Sequence, residues 1–285
     1  MIIDVEQVKK EIIEVCKTLV FEYPKDVKRR LLEAKMAENN ERAVLALNML
    51  EDNMNIALDK HIPICQDTGM VIVYMQLGYD VCFNGDINEA INEAVRIGYQ
   101  DNYLRKSVVS DPLFDRINTK DNTPCVIHVE YIKESKLIID ICAKGFGSEN
   151  MSRVMMLKPA MGVNGVKDFV IETVKEAGPN ACPPMVIGVG IGGSFDNVTY
   201  LAKKALFRDL DSSNPDSRYK QLEDELLTKI NELNIGPLGL KGKTTALKVN
   251  IEYYPTHIAA LPVAVNICCH VSRHARVVIL SLIHI

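Results

Sequence analysis

Asn180-Ala181-Cys182-Pro183-Pro184-Met185-Val186-Ile187-Gly188-Val189-Gly190-Ile191-Gly192-Gly193-Ser194 is the stretch that decides how the chain is read. A short apolar run carries its glycines toward its end, and a serine follows where a helix can begin. Glycine lets the backbone adopt positive φ and lets another group approach closely. A serine at a helix start caps exposed N–H groups, and that end of a helix attracts anions. Just upstream, Cys182 lies between Ala181 and two prolines, so its backbone is stiffly held. The expectation is a buried central strand with a soft ligand before it and an anion-friendly turn after it.

Gly188, Gly190 and Gly193 also satisfy G-x-G-x-x-G, the signature of a dinucleotide fold. That fold needs a second buried strand ending in an acid about 20 residues later. Arg208-Asp209-Leu210-Asp211-Ser212-Ser213 occupies the place and is too polar for one, so nucleotide binding is set aside.

Working outward, residues 5–60 read as helix, with Val5, Val8, Ile12, Val15 and Leu19 at helical spacing. Pro24 and Asn39-Asn40 break the pattern, and no chemistry is visible there, which suits a helical scaffold or subunit contact. A loop over 61–69 leads to an apolar, β-branched strand over 70–77, and 86–104 is helical. Two strands, 124–132 and 136–143, are joined by Lys133-Glu134-Ser135 as in a hairpin. A second Gly-rich turn, 144–150, runs into a helical 151–157, with Met155, Met156 and Met161 expected in the core. Helices are expected over 163–176, 195–210 and 219–233, and a strand over 244–253, before the segment ending in Asn266-Ile267-Cys268-Cys269-His270. The fold class expected is therefore α+β. A helical N-terminal region, 1–60, precedes a mixed β-sheet flanked by helices over 61–276, continuous with it. Residues 277–285 are either a closing strand or an altered C-terminus.

Composition excludes several classes. A net charge of −4 with no Lys/Arg-rich run lacks the basic footprint of a nucleic-acid binder. No apolar stretch is long enough to span a membrane, and the N-terminus has no signal-peptide pattern, so a cytoplasmic location is expected. Cysteines 16, 65, 82, 125, 142, 182, 268 and 269 include no Cys-x-x-Cys, and without a secretion signal they argue against a disulfide framework. Most should be small buried hydrophobes.

Three cysteines stand apart. Cys65 is followed by Gln66-Asp67-Thr68-Gly69, Cys182 precedes the Gly-rich turn, and Cys269 precedes His270, Arg273 and His274, with Cys268 as the competing ligand. Three thiolates from separate loops can hold a [4Fe–4S] cluster with one iron open, which then acts as a Lewis acid. Spacing alone leaves a structural zinc site open as well. His270 and Arg273 either serve the site or cap a last helix, and His61, His128, His257 and His274 read as structural.

The motifs Pro63-Ile64-Cys65-Gln66-Asp67-Thr68-Gly69, Leu104-Arg105-Lys106-Ser107 and Asn118-Thr119-Lys120-Asp121-Asn122-Thr123-Pro124 come first in the chain. Lys144-Gly145-Phe146-Gly147-Ser148-Glu149-Asn150-Met151-Ser152 and Cys182-Pro183-Pro184 with its glycines follow, and Leu261-Pro262-Val263-Ala264-Val265-Asn266 with Cys269-His270 closes the series. Together, in this order, they resemble the alpha subunit of the class I iron–sulfur hydro-lyases, the two-subunit fumarate hydratases and L-tartrate dehydratases. The resemblance runs from about residue 5 to 276. Two places depart from it: Lys241-Gly242-Lys243 is more basic than the Gly-Gly usual there, and nothing beyond Arg276 matches.

The resemblance implies that Cys65, Cys182 and Cys269 are the ligands of a [4Fe–4S] cluster with one open iron. The asparagine three residues before the last ligand favours Cys269 over Cys268. It further implies that Gln66 and Asp67 line the substrate site, that Arg105 meets a substrate carboxylate, and that the 144–150 turn, with Gly145, approaches substrate through its backbone. Asp67 is the candidate catalytic group; positioning the loop is its equal alternative. The implied activity is dehydration of a 2-hydroxy dicarboxylate, (S)-malate to fumarate, with L-tartrate to oxaloacetate as the alternative. A beta subunit supplies the remaining groups, so the enzyme is a hetero-oligomer. A non-catalytic cluster-binding subunit is the reading from another class.

Overall fold

A computed structural model describes residues 2–280 of the chain. In order, β1 (Ile2–Ile3) leads into α1 (Val5–Phe21), α2 (Lys25–Ala37) and α3 (Glu41–Lys60). There follow β2 (Met70–Gly78), β3 (Cys82–Phe83), α4 (Ile87–Asp101), β4 (Val126–Ile132), β5 (Lys136–Lys144), α5 (Phe146–Glu149) and β6 (Arg153–Leu157). The remainder is α6 (Gly162–Ala177), β7 (Met185–Gly192), α7 (Phe195–Ala205), α8 (Ser217–Glu232), β8 (Ala246–Tyr254), β9 (Leu261–Cys268) and β10 (His274–Leu280). Helices with mixed sheets make the fold α+β, as the sequence indicates. No helix among the described residues is long and apolar enough to cross a membrane.

Two compact units share the chain: 2–24, 56–144 and 273–280 form one, and 25–55 with 145–272 the other. In the first, the Asp4 carboxylate caps α1 by accepting the Glu6 N–H at 3.1 Å. Val8, Ile12, Cys16 and Leu19 then fall on one buried stripe. The Asp86 carboxylate caps α4 in the same way, accepting from Asn88 and Glu89. These helices cover a four-stranded sheet in the order β10-β5-β2-β4, whose Val71, Val73, Met75, Leu137, Ile139 and Ile141 join the helical stripe in one core. Burying such side chains contributes about 1.5–3 kcal/mol each, which is why this face is fixed.

The expected hairpin does not form. β2 lies between β4 and β5, parallel to the first and antiparallel to the second. β2 is apolar on both faces, which suits an interior strand with partners on both edges. The 133–135 link crosses over its end, where a Cβ on Gly78 would stand 2.3 Å from the Glu134 carbonyl oxygen. Only glycine leaves room there. β10 closes the sheet against β5, and Arg276 clasps Asp140 opposite it through both carboxylate oxygens at 2.6 and 2.9 Å. Of the C-terminal segment whose status the sequence leaves open, 277–280 are therefore strand, and 281–285 lie outside the described residues.

The second unit holds a sheet in the order β6-β9-β7-β8. β7 is buried throughout, with Met185, Ile187, Val189 and Ile191 packed in the core that α6 and α8 complete. Two of its alternate positions are Gly188 and Gly190. A Cβ on Gly188 would stand 2.1 Å from the Ala202 carbonyl oxygen, and one on Gly190 2.2 Å from that of Val198. The glycines therefore let α7 lie directly on the strand, the close helix–strand approach that a side chain would prevent.

Three further expectations need correction. Residues 153–157 are not helical but form β6, paired antiparallel with β9 from Arg153↔Val265 to Leu157↔Leu261. The helix before it is only four residues long, and a short Val/Met run satisfies its backbone better on an available sheet edge. Met155, Met156 and Met161 are exposed rather than core, because β6 is an edge strand and Met161 lies in the turn that follows it. Ser194 occupies the cap position of α7 but makes no cap bond; its hydroxyl donates to the Asp196 carboxylate at 2.5 Å. That hydrogen bond holds the Asp196 carboxyl below its ordinary range, so the negative charge at this helix start is the protein's own.

Candidate metal and substrate site

None of the eight cysteines is in a disulfide, and their surroundings sort them. Burial pushes the Cys16 thiol up to about 12 and the Cys125 thiol up to about 11, so both stay protonated and are poor ligands. Cys142 and Cys268 are buried within β5 and β9. Cys82 is exposed on β3. The remaining three, Cys65 and Cys269, half-buried, and Cys182, exposed, all lie in loops outside the strands.

In the first unit the loop carrying Cys65 is fastened from several sides. The Ile64 N–H donates to the Val20 carbonyl at 2.9 Å, tying the loop to the end of α1. Asp67 turns its carboxylate back to accept the Gly69 N–H at 3.0 Å, and its own carbonyl accepts from Arg273 at 2.8 Å. The buried Tyr99 hydroxyl reaches the Thr68 and Gly69 carbonyls at 2.8 and 3.1 Å. Burial pushes the Tyr99 hydroxyl up, so it remains a donor. Thr68 in turn donates its hydroxyl to the Arg105 carbonyl at 2.9 Å. Asp67 and Arg105, far apart in sequence, thus belong to one hydrogen-bonded group, with Arg105 and the Gln66 beside Asp67 exposed and Asp67 half-buried.

In the second unit Cys182 ends a tight turn over Gly178–Ala181 and takes φ 52°, ψ 65°, a left-handed conformation that costs a non-glycine residue about 1–2 kcal/mol. Its N–H donates to Pro179, and its carbonyl accepts the His270 N–H at 3.2 Å, so the loops of Cys182 and Cys269 are joined backbone to backbone. Strained residues held by several partners concentrate at functional sites. Gly145 starts α5, which packs against the same turn. Among the described residues, no group of three or more His, Cys, Asp or Glu side chains is arranged to hold a metal ion.

A pocket of about 200 Å³ in this unit is lined by Glu149, Ser152, Arg153, Thr199, Lys203 and Asn266, with apolar neighbours. Lys203 forms an ion pair with Glu149. The Asn266 amide donates to Glu149 at 2.9 Å and to Ser152 at 2.8 Å, and the Ile267 N–H also donates to Ser152. This network ties β9, which leads to Cys269, to the segment that follows Gly145.

Sequence reasoning missed Tyr99 and Lys203 as site-building residues. Tyr99 and Lys203 lie in ordinary amphipathic helices, and no local pattern marks a side chain that will bond a distant carbonyl. Of the two roles open to Arg273, capping a helix is not seen, since no helix follows β9 among the described residues; its guanidinium donates to the Asp67 carbonyl.

Comparison with known proteins gives first the class: the chain is an alpha-type subunit of a hydro-lyase. A family model described as fumarate hydratase (Fumerase) matches residues 9–278, and the chain belongs to that family. It is 40% identical over 270 residues to a Methanocaldococcus jannaschii protein provisionally named L(+)-tartrate dehydratase subunit alpha, covering 93% of this chain and 94% of that one. It is 31% identical over 260 residues to the L(+)-tartrate dehydratase subunit alpha of Escherichia coli K12, covering 90% of this chain and 85% of the relative.

Proposed function

We propose that the chain is the alpha subunit of a two-subunit iron–sulfur hydro-lyase that reversibly dehydrates a 2-hydroxy dicarboxylate, (S)-malate giving fumarate and water. Cys65, Cys182 and Cys269 would hold a [4Fe–4S] cluster with one iron open. The observation that carries this is the sorting of the thiols: these three lie in loops pinned by backbone and buried side-chain hydrogen bonds, whereas Cys16 and Cys125 are held protonated by burial. Loop thiolates of this kind suit soft iron sites. When bound, such a cluster supplies a Lewis acid that makes the substrate hydroxyl a better leaving group.

The chain's own residues supply recognition and positioning. The exposed Arg105 guanidinium takes one substrate carboxylate in a two-pronged grip. Gln66 donates to substrate oxygen from the exposed side of its loop, and the Gly145 backbone approaches substrate without a side chain in the way. Asp67, one residue from Gln66, orients the group that removes the carbon-bound proton or shares that proton itself. A beta subunit completes the site with the groups this chain lacks. The eight cysteines, none of them bridged, suit a reducing cytoplasm.

A second reading, L-tartrate to oxaloacetate, is favoured by the names of the relatives. Anaerobic co-expression with a beta-type partner, followed by assays with malate, fumarate and both tartrate enantiomers, tests both. The proposal expects turnover of malate and fumarate only when both chains are present. Turnover of tartrate alone selects the second reading, and cluster binding with no turnover of any dicarboxylate overturns the enzymatic one.

A further inference from the structure

The loop of Cys65 and the segment that begins at Arg105 are cross-linked twice by side chains that are almost wholly withdrawn from water. Thr68, 1% exposed, donates its hydroxyl to the Arg105 carbonyl at 2.9 Å. Asn122, 0% exposed, uses both ends of its amide: Nδ2 donates to the Gly69 carbonyl at 3.1 Å, and Oδ1 accepts the Ser107 N–H at 2.8 Å. Asn122 sits at φ 64°, a left-handed position that asparagine tolerates better than most residues and that turns its amide between the two segments. Tyr99, also 0% exposed, closes the frame by bonding the Thr68 and Gly69 carbonyls, while its own carbonyl accepts the Leu104 N–H at 2.9 Å. Each cross-link meets backbone, so it fixes chain position and leaves the Arg105 side chain open to solvent.

We propose that Thr68 and Asn122 are positioning residues that set Arg105 at a fixed place relative to Gln66 and Asp67, so that the arginine meets a substrate carboxylate already oriented. The inference rests on the substrate-binding role of Arg105 proposed above. A hydroxyl and a carboxamide are each suited to the task. Valine in place of Thr68 keeps the shape and loses the donor; aspartate in place of Asn122 keeps the acceptor for Ser107 and sets a carboxylate oxygen against the Gly69 carbonyl. A group whose placement depends on such bonds loses binding before it loses chemistry.

The test uses the full chain assembled with its partner subunit. Thr68→Val is expected to raise KM about tenfold with a smaller change in kcat, and Thr68→Ser to restore the wild-type value, since a lost hydrogen bond is worth about that factor. In a double-mutant cycle, Thr68→Val on an Arg105→Ala background should add nothing. Additive effects, or a Thr68→Ser variant as impaired as Thr68→Val, overturn the proposal. Amide exchange on the full chain reads the frame without reference to activity. Asn122→Gly, which tolerates the positive φ, should raise the Ser107 exchange rate about tenfold or more. Unchanged Ser107 exchange overturns the frame. Faster Ser107 exchange together with an unaltered KM in Arg105→Ala supports the frame and removes the substrate role on which its purpose rests.

Discussion

Replacing Gly188 with alanine tests the account of the strand on which the second unit is built. The added Cβ would lie 2.1 Å from the Ala202 carbonyl oxygen, 3.0 Å from Leu206 Cγ and 3.2 Å from Leu206 Cδ2. Ordinary contact begins at 3.4 Å, so α7 must retreat by 3.4 − 2.1 = 1.3 Å or β7 must bend. The Leu206 side chain can yield by rotation, but the Ala202 oxygen is helix backbone and moves only with its helix. That retreat would open the packing of Val198 and Ala202 against Ala264. Overpacking a close-packed core costs about 1–3 kcal/mol, and a backbone contact belongs at the upper end of that range. Urea unfolding followed by circular dichroism should therefore show Gly188→Ala destabilised by about 2–3 kcal/mol with an unchanged dependence on urea. A loss below about 0.5 kcal/mol, the size of an ordinary surface substitution, would refute the packing role of this glycine.

Other consequences are open to measurement. Glu38 is a mostly buried carboxylate; burial raises its pKa, but the N–H groups of Asn40, Lys243 and Asn39 at 2.7–3.0 Å outweigh this and hold it below 4.5. Its folded pKa is depressed, so its contribution is present above pH 4.5 and fades as pH falls through the folded value; Glu38→Gln should flatten the fall in thermal midpoint over that acid window, and an unaltered pH profile would count against it. Ser152→Ala strips a hydroxyl that accepts from both Asn266 and Ile267, and should lower stability by about 1–3 kcal/mol in chemical denaturation. A stability equal to wild type would mean the network is not needed. An open iron should also make hydratase activity decay on aeration and return after anaerobic treatment with iron and thiol; full activity after prolonged exposure to air would contradict it.

Much of the helical part was legible because each signal is local. Val5, Val8, Ile12, Val15 and Leu19 repeat at helical spacing, and Pro24 and Asn39-Asn40 break the run between helices. The central position of β7 was legible in its length and its unbroken apolar character. What failed was pairing and partnership, which are non-local. Nothing in 124–144 reveals that β2 will stand between two strands joined by three residues, because that choice depends on a strand some 50 residues earlier. The edge place of β6 depends likewise on β9. For the candidate site, the motif residues Cys65, Asp67, Arg105 and Cys182 stood out by type and company. Tyr99 did not, and Asn122 stood in a quoted motif with no role of its own, since a side chain that satisfies a distant carbonyl looks in sequence like any other polar or aromatic residue.

The most direct test is iron and sulfide analysis, with visible absorbance, of chain purified without oxygen, as wild type and as single Cys→Ser variants. The account predicts iron and sulfide in equal amounts in the wild type, lost in Cys65→Ser, Cys182→Ser and Cys269→Ser and kept in Cys82→Ser and Cys268→Ser. Zinc in place of iron, or a cluster indifferent to substitution at 65, 182 and 269, would contradict it.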